Sequence, residues 1–202
     1  MEHFLNLPPE KRDNIINAAL YLFGRSGYKK TSAADIAAKA GISKPMIFHY
    51  FGSKKNLYLY LIDFCGNVVS SGVLDRIDKN EKDFFGRIRL SAEIKLSVIG
   101  EYPDMLSFME SMFFETDPDV ENEIKKILTL SGSRFDFQQF FEGVDYSRFK
   151  DGINPALVTK TLIYFVEGIM NETPRGQKVD IDALMREFDE CLGLFRNNFY
   201  KE

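Results

Sequence analysis

Apolar residues recur at three- and four-residue intervals along almost the whole chain, the period of one buried helix face. Between residues 10 and 26 the set is Ile15, Ile16, Ala19, Leu20, Leu22 and Phe23, with Pro8 and Pro9 before it and Gly24 and Gly27 near its end. Proline at the entrance and glycine at the exit bracket a helix. Thr31 and Ser32 follow, both good N-caps, with Asp35 three after Ser32 as in a capping box, and then a short face of Ile36, Ala37 and Ala40 closed by Gly41. That is a second, short helix. Ser43 caps a third, with Pro45 in its first turn where no intrahelical donor is lost, ending near Phe51 and Gly52. Ser53 caps a fourth, running from Lys54 towards Val69.

Beyond this point the elements lengthen. The pattern predicts helices over 82–100 and 103–115, broken at Tyr102 and Pro103, and over 117–130, opened by Asp117 and Pro118. The Phe- and Gly-rich stretch 132–154 carries no clear period. Pro155 opens a helix over 156–170, a loop at 173–179 holds Pro174 and Gly176, and Ile181–Phe199 is the last helix. With no strand-like alternation and no internal repeat, the fold class is all-α. The change from short to long elements divides the chain into a head, 1–53, and a larger helical body, 54–202.

Composition narrows the classes. At 45% hydrophobic and 28% charged, the chain is that of a core-forming protein rather than a disordered one. Its longest apolar run, LYLYLI at 57–62, is far shorter than the roughly 20 residues a bilayer requires. The N-terminal MEHFLNLPPEKRD lacks the basic start and apolar run of a secretory signal, so no membrane association and a cytoplasmic location are expected. Cys65 and Cys191, far apart and each in an apolar helical context, read as free buried thiols. With only His3 and His49, no histidine metal cluster and no cofactor are expected. The formal net charge of −4 hides an asymmetry: residues 1–55 hold nine Lys and Arg against four Asp and Glu, leaving −9 on the remainder. A basic head on an acidic body suits a protein of which one end approaches a polyanion.

Two short helices joined by a glycine-containing turn, backed by a longer one, have the proportions of a helix-turn-helix, whose second helix enters the DNA major groove. TSAADIAAKAGISKPMIFHYFGSKKNL, residues 31–57, closely resembles the signature of the TetR family of transcriptional repressors. It has the hydroxyl residue, the Ile-Ala and Ala-Gly pairs, a serine-capped recognition helix ending in an aromatic pair, and a lysine opening the fourth helix. Beyond this segment the chain matches the family only in length and helix content. The resemblance implies that Ile36, Ala37, Ala40, Ile42, Ile47 and Phe51 form the core of the head. Thr31 and Ser32, Tyr50 and Lys54 match positions that hold phosphates. Ser43, which caps the recognition helix, joins the DNA-binding set. Lys44, Pro45, Met46 and His49 match its base-facing side, where Lys can donate to guanine and Met can pack on a thymine methyl; His49 is equally compatible with a surface or phosphate-facing imidazole. Two departures stand out. Phe48 replaces a tyrosine common in the family, removing a hydroxyl, and Ala33 and Ala34 leave the second helix without a long polar side chain.

The family further implies a homodimer through the last two helices, here 156–170 and Ile181–Phe199, binding a double-stranded operator as a two-fold pair. Leu157, Leu162, Phe165, Ile169, Leu184, Phe188, Leu192, Phe195 and Phe199 are available either to the partner or to the chain's own core. The body is rich in Phe and Met, and the family uses this region for a small-molecule effector. Phe64, Phe108, Met109, Met112, Phe113, Phe140 and Phe165 are the candidate lining of an apolar pocket, with Glu93, Glu110, Gln138 or Tyr164 as polar anchors. Each aromatic is individually a candidate for plain core packing as well. An enzyme is disfavoured, since the sequence has no Ser-His-Asp set, CxxC or phosphate loop. The remaining alternative is a helical interaction or ligand-binding protein whose head no longer binds DNA.

Overall fold

The computed structural model describes residues 1–172 and 179–201, with residues 129–134 described by their backbone only. The loop expected at 173–179 therefore lies outside the described residues, except for Val179. Eleven α-helices and no strand are found among the described residues: α1 (Glu2–Leu5), α2 (Pro9–Lys30), α3 (Ala33–Lys39), α4 (Lys44–Phe51), α5 (Lys54–Arg76), α6 (Phe84–Gly100), α7 (Met105–Phe113), α8 (Glu121–Arg134), α9 (Phe137–Phe140), α10 (Pro155–Glu172) and α11 (Ile181–Phe199). The all-α expectation holds. The chain forms two compact units, one of Met1–Gly72 with Lys95–Asp136 and one of Val73–Ile94 with Phe137–Glu202.

In the first unit the pattern-derived helices are present, with instructive differences. The periodicity of α2 stops at 26 because Gly27 sits at φ 70°, ψ 175°, outside helical space, so that 28–30 form a separate final turn. Ser32 caps α3 as expected, its Oγ accepting from the Asp35 N–H at 3.1 Å. Ser43 occupies the N-cap of α4 but makes no side-chain cap bond. Ser53 caps α5, its Oγ accepting from the Asn56 N–H at 3.0 Å. Helix α8 begins at Glu121 rather than 117 because carboxylates capture the preceding amides. Glu115 takes the N–H groups of Thr116 and Asp117 at 3.0 and 2.9 Å, and Asp117 takes that of Asp119 at 3.0 Å. Helix α5, expected to end near 69, continues to Arg76. Its length and composition alone would allow it to span a bilayer, yet it buries Leu57, Tyr58, Leu61, Ile62 and Cys65 in the core.

That core centres on interlocking rings. Phe23 of α2 meets Tyr58 of α5 edge to face at 4.9 Å between centroids, and Tyr58 meets Phe108 of α7 at 5.4 Å. Helix α7 packs so closely on α2 that a Cβ at Gly24 would lie 2.9 Å from the Phe108 backbone nitrogen. The Ser111 hydroxyl then donates to the Phe23 carbonyl at 3.1 Å.

Of the stretch 132–154, which the periodicity left without an assignment, residues 132–134 end α8 and the second unit explains the part from Phe137 onward. Arg87, fully buried, donates to the carbonyl oxygens of Phe140 at 2.7 Å, Lys79 at 3.2 Å and Glu81. One guanidinium thus gathers two loops, using donors that a period-based reading does not register. Phe84, Phe85, Phe149 and Tyr200 form an aromatic cluster, Phe84 to Phe149 at 5.1 Å and Phe85 to Tyr200 at 5.1 Å. Phe149 and Tyr200 form an isolated antiparallel bridge, flanked by Lys150 N–H to Phe199 O and Lys201 N–H to Arg148 O, both 2.8 Å. Asp83 ties this corner, accepting from Arg148 at 2.6 Å and from Arg196. Helices α10 and α11 pack together, burying Val158, Leu162, Phe188 and Leu192. Leu157, Ile163, Tyr164 and Leu194 remain exposed.

Candidate nucleic-acid interface

Helices α3 and α4 are joined by a turn at Gly41, whose φ of 70° is left-handed, and Ile42 N–H closes it by donating to Ala37 O at 2.9 Å. Ile36, Ala37, Ile47 and Phe51 are buried, which fixes the angle between the two helices and turns the rest of α4 outward. The outward stripe is Lys44, Pro45, Phe48 and His49, all exposed. Met46 is half-buried and Tyr50 keeps only 7% of its surface, packed on Phe4 and Phe51. The stripe thus differs from the expected one: Phe48 joins it and Met46 recedes, because Met46 and Tyr50 fall on the arc of the helix that Ile47 and Phe51 face inward.

Short helix α1, which the sequence pattern does not announce, braces this element. Phe4 is fully buried, 4.7 Å from Phe51 and 5.4 Å from Tyr60 between centroids. Beside it, His3 stacks on His49 at 4.7 Å and 27°. The apolar residues Phe4, Leu5 and Leu7 just before Pro8 are the signal from which such a brace is readable.

The expected phosphate contacts divide. Ser32 and Ser43 are exposed, although the Ser32 hydroxyl is engaged with Asp35 Oδ2 at 2.7 Å. Thr31 is buried, its hydroxyl shared between the carbonyls of Gly27 at 2.8 Å and Leu22 at 3.0 Å. Lys54 likewise points inward. Its ammonium donates to Tyr28 O at 2.9 Å and Thr31 O at 3.2 Å and lies 4.0 Å from the Tyr28 ring centroid. Both residues close the carbonyl end of α2, where unpaired acceptors and the negative end of the helix dipole attract a donor. Thr31 and Lys54 are therefore internal braces in this structure, a correction to their placement among the phosphate contacts.

Around Tyr28 lies a second set of charged groups. Glu115 Oε2 accepts from the Tyr28 N–H at 2.9 Å, and the Tyr28 hydroxyl donates to Asp119. Burial and the neighbouring carboxylates raise the Tyr28 phenol well above its ordinary range. Lys55 reaches Glu123 at 2.7 Å and Asp119 at 3.8 Å. The hydrogen bond to Glu123 raises the Lys55 ammonium and lowers the Glu123 carboxyl. This acidic turn clasps the base of the helix-turn-helix without occupying its outward stripe.

The candidate pocket residues divide between the two units. In the first, Phe108 and Met112 are core residues, with Phe108 at 0% exposure against Phe23 and Tyr58, a correction to their role as lining. Phe64, Met109 and Phe113 are half-buried. In the second, Phe140 is buried and Phe165 half-buried. Of the expected polar anchors, Glu93 is paired with Arg89 at 3.0 Å and Tyr164 is 58% exposed. No cluster of three or more His, Cys, Asp or Glu able to hold a metal is present among the described residues.

Residues 15–61, which contain this helix-turn-helix, match the family of bacterial regulatory proteins described as the tetR family. That match covers this segment and not the rest of the chain. The chain is similar to the nucleoid occlusion factor SlmA of Photobacterium profundum, at 28% identity over 115 residues covering 55% of this chain and 58% of that one. The chain thus spans little more than half the length of that relative. Among solved structures, its fold is similar to SmeT, the repressor of the Stenotrophomonas maltophilia multidrug efflux pump SmeDEF, with TM-score 0.71, 16% identity and coverage of 95% and 91% of the two chains. It is also similar to the fatty acid degradation regulator FadR of Bacillus halodurans, with TM-score 0.68, 17% identity and coverage of 89% and 96%. The family match thus marks an N-terminal helix-turn-helix of the tetR type, and the likeness to the solved structures extends the helical fold over the remainder.

Proposed function

We propose that this chain is a ligand-responsive repressor that binds a palindromic operator as a homodimer and is released by an apolar small molecule. The observation that carries the DNA half is the outward stripe of α4. Lys44, Pro45, Phe48 and His49 are exposed on a helix whose other side is anchored by Ile47 and Phe51. Lys44 reads a base edge, while Ser43, Ser32 and the accessible edge of Tyr50 meet phosphates and set the register. Residues 1–53 form the DNA-binding domain and 54–202 the effector and dimerisation domain.

The dimer reading rests on α10 and α11. Leu157 and Tyr164 lie two turns apart on α10, 61% and 58% exposed, and Leu194 of α11 is 61% exposed. A second copy covering this face removes them from water and doubles the number of half-sites read, as a genomic address requires. Half-buried Phe64, Met109 and Phe113 of the first unit are the residues proposed to meet the effector. The functions named for SmeT and FadR, multidrug efflux and fatty acid degradation, support an apolar one. The effector acts by favouring a conformer whose heads miss the half-sites. Such a protein works in the cytoplasm, on the chromosome, and performs no catalysis.

Selection from a random duplex library tests the reading. A symmetric site is expected to be enriched, with affinity falling steeply as salt rises and falling again when a fatty acid or aromatic panel contains the effector. No enrichment over random duplex would remove the DNA half. An unchanged affinity across the panel would remove the sensor half.

A further inference from the structure

Phe48 is 41% exposed, and it is the large apolar side chain that the described helix-turn-helix, α3 through α4, leaves to solvent. Elsewhere a single exposed phenylalanine would need no explanation. Here its place is set by the helix it stands on. The inner side of α4 is filled by Ile47 at 0% and Phe51 at 4% exposure, and Phe48 falls on the opposite arc with Lys44 one turn before it and His49 beside it. The Lys44 ammonium lies 5.9 Å from the centroid of the Phe48 ring, near the limit of a cation–π contact. The ring thus has a charged neighbour that a polyanion would draw on, and a large part of its surface stays in water.

We propose that Phe48 is a specificity-determining residue that reads a thymine methyl in the operator, next to the base contacted by Lys44. This rests on the DNA-binding reading above. The chemistry leaves few other roles. A phenyl ring has neither donor nor acceptor, so it can satisfy no phosphate oxygen and no base-edge hydrogen bond. In the major groove the apolar group on offer is the C5 methyl of thymine. Packing on it removes from water both the methyl and the part of the ring the fold leaves exposed. The Lys44 ammonium, held over the ring's face, then falls on the adjacent base pair. Phe48 and Lys44 together specify a two-base step, thymine beside guanine, rather than one base.

The test uses the full chain and the duplex enriched by selection from a random library. Each thymine of the half-site is replaced in turn by deoxyuridine, which lacks only the methyl. At one position per half-site the wild type is expected to lose affinity by about fourfold, the factor for withdrawing one methyl from contact. Phe48→Ala should bind the thymine duplex more weakly and lose all sensitivity to deoxyuridine at that position. Phe48→Leu, which keeps an apolar contact, should retain part of it. Because the side chain is exposed, both variants should keep the wild-type thermal midpoint and helical circular dichroism. If every deoxyuridine duplex binds the wild type as thymine does, or if Phe48→Ala stays as sensitive as the wild type, the inference is overturned while the DNA-binding reading stands. A library that yields no preferred duplex overturns that reading itself, and this inference with it.

Discussion

The position of single atoms decides much at Gly24 and Cys65. A methyl group at Gly24 would lie 2.9 Å from the Phe108 nitrogen and 3.0 Å from the Ser107 carbonyl carbon, both backbone atoms that cannot rotate away. Gly24→Ala should therefore destabilise by about 1–3 kcal/mol despite alanine's better helix propensity, measured as a lower midpoint in urea. At Cys65, burial pushes the thiol up to about 12. At pH 8 its thiolate is then about one part in ten thousand, so iodoacetamide should spare Cys65 in the native protein and modify it on unfolding, read by mass spectrometry of the peptide. Both residues show a limit of sequence reasoning. Gly24 looked like the end of a helix, and its actual reason, the backbone of a helix more than eighty positions away, has no local signature. Cys65 as a buried free thiol was legible from its apolar neighbours alone.

Among elements, α1 supports the recognition helix through one side chain. Phe4→Ala removes the ring that fills the space among Tyr50, Phe51 and Tyr60 and should cost about 3–5 kcal/mol. Faster amide exchange in α4 would place the loss there. The clasp of α5 on α8 makes a pH-dependent contribution whose sign follows from its two members. Lys55 lowers the folded Glu123 carboxyl, so this stability is present above the unfolded value, about 4.3, and fades as pH falls through the folded one. Lys55 is itself raised, so the contribution is present below its unfolded value, about 10.4, and fades as pH rises through the folded one. The thermal midpoint of Glu123→Gln should approach that of the wild type at both extremes and differ most between them. The elements themselves were legible: capping residues, prolines and periodicity placed α3, α4, α10 and α11 within a residue or two. What escaped were α1, too short to show a period, and the stretch 137–154, ordered by Arg87 and by aromatic contacts rather than by an amphipathic face. In the candidate site, the stripe of α4 was legible except at Met46 and Phe48. The inward turn of Thr31 and Lys54 was not, because a hydroxyl or ammonium suits a carbonyl as well as a phosphate.

For the molecule as a whole, oligomeric state and charge distribution are the relevant quantities. Leu157→Glu places a carboxylate on the exposed face of α10, where an apolar partner is proposed, and its position leaves the chain's own core untouched. Sedimentation should show the wild type as a dimer at micromolar concentration and the variant shifted towards monomer, with operator affinity lowered by 10-fold or more, about 1.4 kcal/mol or more. A wild type that sediments as a monomer would count against the two-fold arrangement. The surplus of positive charge within residues 1–55, against the −9 on the rest, makes the head the part that the proposed DNA complex would draw in. Association should be fast at low salt, with the acidic remainder repelled from the duplex.

Arg87 carries a different kind of consequence. Its charge is solvated by peptide dipoles rather than by a carboxylate, since the partners of its guanidinium are the carbonyls of residues 79, 81, 140 and 142. A carbonyl does not titrate. The bonds that Arg87 makes survive the protonation that dissolves an ordinary ion pair, so mild acid should loosen the Lys55 clasp well before it frees the loops at 79–81 and 140–142. Lysine would not substitute for it: a single ammonium has the charge but lacks the planar fork that reaches both loops at once.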